Sequence, residues 1–318
     1  LPAWTSSKED FFFEKKKQKT FAIGHTPRTS KWAAYAREQK LFASFFQKRS
    51  SCFPLHLAIL PMYDLDELRP ATDALWAAIA ARVADAPAAL TRGRALDDAW
   101  TDPALLLGQT CGYPLVTSLR GRVALVATPR YRAEGCVGPL YRSAVIVRAD
   151  DDARGLADLR GRRCAVNDLA SNSGMNLLRA AIAPLAATGG RFFREVLMTG
   201  GHVASVDAVA EGRADVGSID CVTWAHLRHL RPRAVAGLRV LAWTEATAGL
   251  PLVTSVHTGL ATRRALRRAL GEVQCDPALA PVRDALRLAG FERLALRDYA
   301  PVLRLERQAR RAGYPVLR

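Results

Sequence analysis

From residue 55 onward, short apolar runs alternate with longer stretches whose apolar positions recur every three or four residues, the pattern of strands linked by helices. Residues 55–60 read as a first strand closed by Pro61, and residues 65–83 place Leu68, Leu75, Ile79 and Val83 on one helical face. Residues 104–107 and 109–114 predict a strand running into a turn. Residues 123–127 and 144–147 predict two further strands, and the first lobe of the fold is expected to end near there. Residues 163–167 lead through a Ser/Asn/Gly turn into a helix carrying Met175, Leu178, Ile182 and Leu185, and another unit begins after Gly189 and Gly190. That unit comprises a strand at 195–198, a Gly-Gly-His turn, a helix at 203–211 and a strand at 215–219. Gly212 supplies the helix stop, since glycine takes the left-handed cap conformation without steric cost. Residues 239–243 and 252–255 are expected to carry the chain back to the first lobe, and helices to complete the C-terminus. Such alternation predicts an α/β protein with mainly parallel sheets. No period of 20 to 50 residues recurs, which sets aside a solenoid.

Composition divides the chain near residue 50. All eight lysines and seven of the eleven phenylalanines precede Ser51, whereas residues 51–318 hold 35 arginines against 26 acidic residues. The formal net charge of +16 therefore overstates the basicity of the folded part, which carries +9 spread over helical faces such as Arg263-Arg264 and Arg310-Arg311. This reads as a solvated arginine-rich surface, and with no recognition motif in view it argues against a nucleic-acid partner. Residues 1–50 read as a non-domain leader of foreign composition, with no usable signal peptide. No apolar run approaches the ~18 residues of a membrane span. The six cysteines form no CxxC pair and no metal-ligand spacing, so neither a metal nor a cofactor is expected. Cys111 and Cys136 are a candidate pair in an oxidising compartment, with buried, reduced thiols as the alternative.

Two turns carry candidate chemistry. Ser171-Asn172-Ser173-Gly174 lies between a predicted strand and a predicted helix, where unpaired N–H groups, the helix dipole and two hydroxyls suit an oxyanion. Read alone, the same serines are helix caps. Thr199-Gly200-Gly201-His202 opens the next helix in the same way, and His202 can donate to an anion or cap the helix. Both turns should lie at the carboxyl ends of strands, where open α/β sheets bind ligands. Tyr113 and Tyr141 are candidate walls of a cleft or packing residues, and Asp220 should face the cleft from a strand end while Asp215 is structural.

Leu159-Arg160-Gly161, Ser171 to Met175, Thr199 to His202 with Ser205, and Gly212 to Val216 with Asp220 together resemble the phosphate/phosphite/phosphonate substrate-binding proteins of ABC importers. Gln109 to Pro114 and Gly249 to Ser255 extend the likeness, which covers roughly residues 55–318. The resemblance implies a type II periplasmic-binding fold of two α/β lobes joined by hinge strands, with residues 51–142 and 244–318 in one lobe and 143–243 in the other. It implies that Ser171, Asn172, Ser173, Gly174 and His202 hold the oxyanion, that Tyr113 and Tyr141 line the cleft, and that Asp220 faces the rest of the solute. It implies a monomer that delivers its ligand to a membrane permease from the periplasm, although the unread signal leaves a cytoplasmic location open. Aminoalkylphosphonate binders tend to place a carboxylate just before the late-strand proline, and Leu250 stands there. A ligand sensor or a cofactor-biosynthesis enzyme on the same two-lobed fold is the alternative. Against an enzyme, no Gly-x-Ser-x-Gly elbow, His-Glu-x-x-His or phosphate-binding lysine loop is present.

Overall fold

The computed structural model describes residues 56–186 and 190–318. The leader at 1–50, Cys52, Leu55 and Gly189 lie outside them. The first expected strand is β1 (Leu57–Ile59) and the first helix α1 (Arg69–Ala80), with Leu68, Leu75, Ile79 and Val83 all buried. After α2 (Leu96–Thr101) come β2 (Leu105–Gln109), α3 (Gly112–Val116), β3 (Val123–Tyr131), β4 (Leu140–Tyr141) and β5 (Ser143–Arg148). The expected turn at 109–114 is thus the end of β2 followed by a short helix. Pro114 fits there because an early helical N–H has no intrahelical partner to lose.

The second half runs through β6 (Arg163–Val166), a π-helical turn (Asn172–Asn176), α4 (Leu177–Ile182), β7 (Glu195–Met198), α5 (His202–Ala210), β8 (Val216–Asp220), α6 (Cys221–Leu230) and α7 (Pro232–Val235). It continues with β9 (Leu238–Trp243), β10 (Thr247–Ala248), β11 (Leu252–Ser255), α8 (Leu260–Cys275), α9 (Ala280–Ala285), β12 (Leu288–Glu292) and α10 (Ala300–Arg311). The helical C-terminus expected from sequence therefore contains a strand, β12, which pairs with the outer edge of β3 across an irregular register at Leu288/Gly290. Its five residues, interrupted by glycine, carry little periodic signal, and the unpaired edge of β3 makes them a strand.

Two five-stranded sheets result, in the orders β1-β2-β11-β3-β12 and β7-β6-β8-β5-β9. The expectation of mainly parallel pairing is corrected by the registers. Only β1–β2, β6–β7 and β6–β8 are parallel, while β11 runs against β2 and β3, β12 against β3, and β5 against both β8 and β9. The cause lies in β5, which sends Val145 and Val147 into one apolar cluster and Ala144 and Ile146 into another. A strand buried on both faces reads as one apolar run whichever way its neighbours point.

The chain passes between the sheets through β4 and through β10, and these two short strands pair antiparallel with Thr247 opposite Tyr141. They are the hinge strands of a type II periplasmic-binding fold with two α/β lobes. α10 contributes Val302 to the apolar core of the first sheet, while Ala309 and the following Tyr314 and Leu317 enter the core of the second. On the surface, Arg264, Arg310 and Arg311 are exposed, as the solvated-face reading requires.

Candidate functional site

The turn after β6 and the turn after β7 meet. Ser171 Oγ accepts from Gly174 N at 2.9 Å, the expected cap, and stands 3.4 Å from Ser173 Oγ. Ser173 Oγ is in turn 2.9 Å from His202 Nε2 at the first residue of α5. The Ser173 carbonyl accepts from Ser143 Oγ of β5 and from Ser218 Oγ of β8, which fixes the turn against the sheet. Gly174 is required where it stands: a Cβ added to it would lie 1.7 Å from Asn167 Oδ1.

Asn172 is wholly buried and belongs to the hinge as much as to the turn. Its amide nitrogen donates to Tyr141 Oη and to Thr247 Oγ1, both at 3.0 Å, and its amide oxygen accepts from Asn176 Nδ2 at 2.9 Å. Tyr141 and Thr247 are the paired residues of β4 and β10, so one side chain ties both hinge strands to the turn. Its backbone N–H donates to Cys111 Sγ at 3.1 Å. An amide NH2 has two donors, and both are engaged. In this arrangement the Asn172 side chain organises the turn, and the hydroxyls of Ser171 and Ser173 and the ring of His202 are the groups left to meet a ligand.

The other end of the assembly is aromatic and apolar. Leu250 is buried in a cluster with Tyr63, Tyr141, Cys221 and Val222. Tyr63 meets Tyr131 edge to face with ring centres 5.0 Å apart. Tyr63 Oη donates to Asp220 Oδ2 at 3.0 Å, while Asp220 Oδ1 accepts from Val222 N and Thr223 N as the cap of α6. Tyr113 is partly buried and packs against both apolar cores. Asp215, as expected, is structural: Arg163 holds it by backbone and guanidinium bonds that bring its carboxyl down to about 2.

Burial sets the electrostatics. His202 is lowered to about 4 by loss of solvent, so at neutral pH its ring is uncharged. With Nε2 committed to Ser173, its buried Nδ1 has no partner. If Nε2 accepts the Ser173 proton, Nδ1 carries the hydrogen and can donate it. Asp220 is raised to about 6 by burial, against the opposing pull of Thr223 N–H, Tyr63 and Val222 N–H. Tyr63 is pushed well above its ordinary value by burial and by the Asp220 carboxyl. The arrangement offers neutral hydroxyl and imidazole donors. Among the described residues no three His, Cys, Asp or Glu side chains are placed to hold a metal.

Ser171, Asn172, Ser173, Gly174, His202 and Tyr141 are brought together, Asp220 lies at the far end with Tyr63, and Tyr113 stands apart between the cores. Residues not singled out from sequence are Ser143, Thr247, Ser218 and Tyr63, and Cys111 is singled out for a disulfide and not for the turn. Tyr63 had a signal, since it follows Pro61 just after the first strand, where sheet ends gather ligands. Thr247 had none, because a two-residue strand has no period. The candidate Cys111–Cys136 pair is not formed: Cys111 is buried and faces Asn172 N, as the alternative of a buried thiol has it, and Cys136 Sγ lies 3.4 Å from Cys221 Sγ.

Residues 58–299 match the profile of the ABC transporter, phosphonate, periplasmic substrate-binding proteins. No curated protein matches the sequence. Among solved structures the chain is similar to PhnD1 from Prochlorococcus marinus in complex with methylphosphonate, with 13% identity over 81% of this chain and 99% of that one and a TM-score of 0.66. It is similar to a binding-protein component of an ABC phosphonate transporter from Pseudomonas aeruginosa, with 16% identity over 81% and 88% and a TM-score of 0.65. A chloride-bound protein from Xanthomonas citri, XAC2383, gives 18% identity over 81% and 99% and a TM-score of 0.63. At these identities the structural likeness speaks for the fold.

Proposed function

The chain belongs to the phosphonate family of periplasmic substrate-binding proteins of ABC transporters, and we propose that it reversibly binds a small phosphorus oxyanion, whether phosphonate, phosphite or phosphate, without converting it. Its family role implies a small ligand and a membrane permease as partners. The observation that carries the ligand assignment is the Ser171/Ser173/His202 cluster, where two hydroxyls and a neutral ring with a free Nδ1 converge on the start of two helices. Helix N-termini and neutral donors favour an oxyanion over a cation. Ser171, Ser173 and His202 contact the oxygens, Asn172 and Gly174 hold the turn, and Tyr141 closes one wall. The Leu250, Tyr63 and Asp220 end faces the remainder of the solute, and its apolar lining suits a short alkyl substituent better than an amine.

Calorimetric titration of the protein with phosphate, phosphite, methylphosphonate and an aminoalkylphosphonate tests this reading. Binding of at least one of the first three, weakened by Ser173→Ala and by His202→Ala, is the expected result. Absence of heat with all four, or equal affinity in both variants, removes the assignment. Product formed from any of them would restore an enzyme.

A further inference from the structure

Cys221 belongs to the apolar cluster around Leu250 and Cys136 packs against it, and neither thiol is assigned a ligand contact, yet their sulfurs stand 3.4 Å apart across 85 residues of sequence. Cys136 lies in the segment that leaves β3 of the first sheet for the hinge strand β4, and Cys221 opens α6, directly after β8 of the second sheet. The approach is built into the backbone. Gly135 has φ +92°, and a Cβ there would fall 2.9 Å from the Trp243 ring and 3.0 Å from Cys221 Cβ, so only glycine lets the segment lie this close. The same segment is tied to α6 by the Glu134–Arg228 ion pair at 3.5 Å. Cys136 is partly exposed and Cys221 is buried, so one thiol can meet a reagent while the other waits behind it.

We propose that Cys136 and Cys221 form a disulfide in an oxidising compartment, and that this bond is a redox-controlled clamp between the two lobes. The co-reactant is a small disulfide of the glutathione type. The Cys136 thiolate attacks one of its sulfurs, forming a mixed disulfide and releasing one thiol. Cys221 gives up its proton and attacks the Cys136 sulfur, forming the protein disulfide and expelling the second thiol. The protein loses two hydrogens, and the reagent takes up two electrons and two protons. The contact with Cys136, then burial and the neighbouring Asp220, keep Cys221 protonated, which makes the second step the slow one. The periplasm, to which the family belongs, is a compartment where such a bond persists. Joined there, the first sheet's exit and the head of α6 cannot part freely, and lobe opening is restricted. The clamp rests on the binding-protein reading; the bond does not.

Oxidised glutathione added to the reduced full chain, followed by intact mass and peptide mapping, tests the bond. A protein about 2 Da lighter, with a peptide pair joining Cys136 to Cys221 that dithiothreitol separates, is expected. Closing so long a loop should raise the thermal midpoint by on the order of 5 °C. Cys136→Ser should abolish the mass loss and the shift, and its partly exposed position makes it the safer variant than Cys221→Ser. A glutathione adduct that persists on Cys136, a link from Cys136 to any other cysteine, or an unchanged mass overturns the proposal. Oxidation should slow the release of methylphosphonate by about tenfold or more. Equal release rates in the two redox forms overturn the clamp. A bond that forms in a protein binding none of the phosphorus oxyanions upholds this site and removes the ligand assignment instead.

Discussion

The two ends of the candidate site are built on opposite terms. At the Ser171–Gly174 turn nearly every polar atom has a partner: Asn172 spends both amide donors on the hinge, the Ser173 carbonyl takes two hydroxyls, and the unpartnered atoms are Asn167 Oδ1 and His202 Nδ1. At the Tyr63 and Leu250 end, ring edges and aliphatic carbons fill the space and a single carboxyl, Asp220, is satisfied by a helix start and a tyrosine. The polar end is therefore specified by direction, because hydrogen bonds fail with small displacements, while the apolar end is specified by volume. One end should discriminate the charged head of a ligand and the other the size of its substituent.

Breaking the polar end should cost most. Asn172→Ala removes three buried hydrogen bonds and leaves the Tyr141, Thr247 and Asn176 groups short of a partner, and a loss of about 3 kcal/mol in denaturant-measured stability is expected. Ser173→Ala or His202→Ala should instead spare the fold and weaken oxyanion binding by about 2 kcal/mol, roughly thirtyfold, by calorimetry. Gly174→Ala drives its Cβ into Asn167, at about 1 to 3 kcal/mol of stability, and a second change, Asn167→Ala, should recover part of it in a double-mutant cycle. The apolar end should answer more weakly. Tyr63→Phe keeps the ring and loses one bond to Asp220, for about 1 kcal/mol.

Titration separates the ends as well. Asp220 has its folded value raised from 3.8 to about 6, so its stabilising contribution is whole below about pH 4 and is lost as pH rises through 6. His202 has its folded value lowered from 6.5 to about 4, so its contribution is whole above about pH 6.5 and is lost as pH falls through 4. Relative to Asp220→Asn, the wild-type protein should lose stability between pH 4 and 6 and run parallel above. Relative to His202→Asn, it should gain stability over pH 4 to 6.5. Unfolding midpoints across that range read both, and curves that stay parallel throughout would show that burial does not separate the two groups.

Much of this was legible in the residue order. The strand at 163–166, the serine turn, the helix beyond it and the Gly-Gly-His start of the next helix follow from apolar runs broken by residues with definite turn chemistry. They lie in sequence where the structure has them. The Ser171 cap was equally plain. Strand direction was not legible, because β5 is buried on both faces and its apolar run is indifferent to its neighbours' sense. Nor was β12, whose conformation comes from the free edge of β3.

The partners of Asn172 show the boundary most clearly. Its place before a helix made it a ligand candidate, but Tyr141 and Thr247 are 31 and 75 residues away, on strands too short to announce themselves. Cys136 met Cys221 and left Cys111 for the same reason. Local order fixes what depends on neighbours in the chain: periodicity, caps, turns, and the supply of hydroxyls and imidazole at helix starts. Which of those groups keeps a free donor is decided only when distant strands close on the turn, since hydrogen-bond capacity is finite and the tertiary structure determines who uses it first.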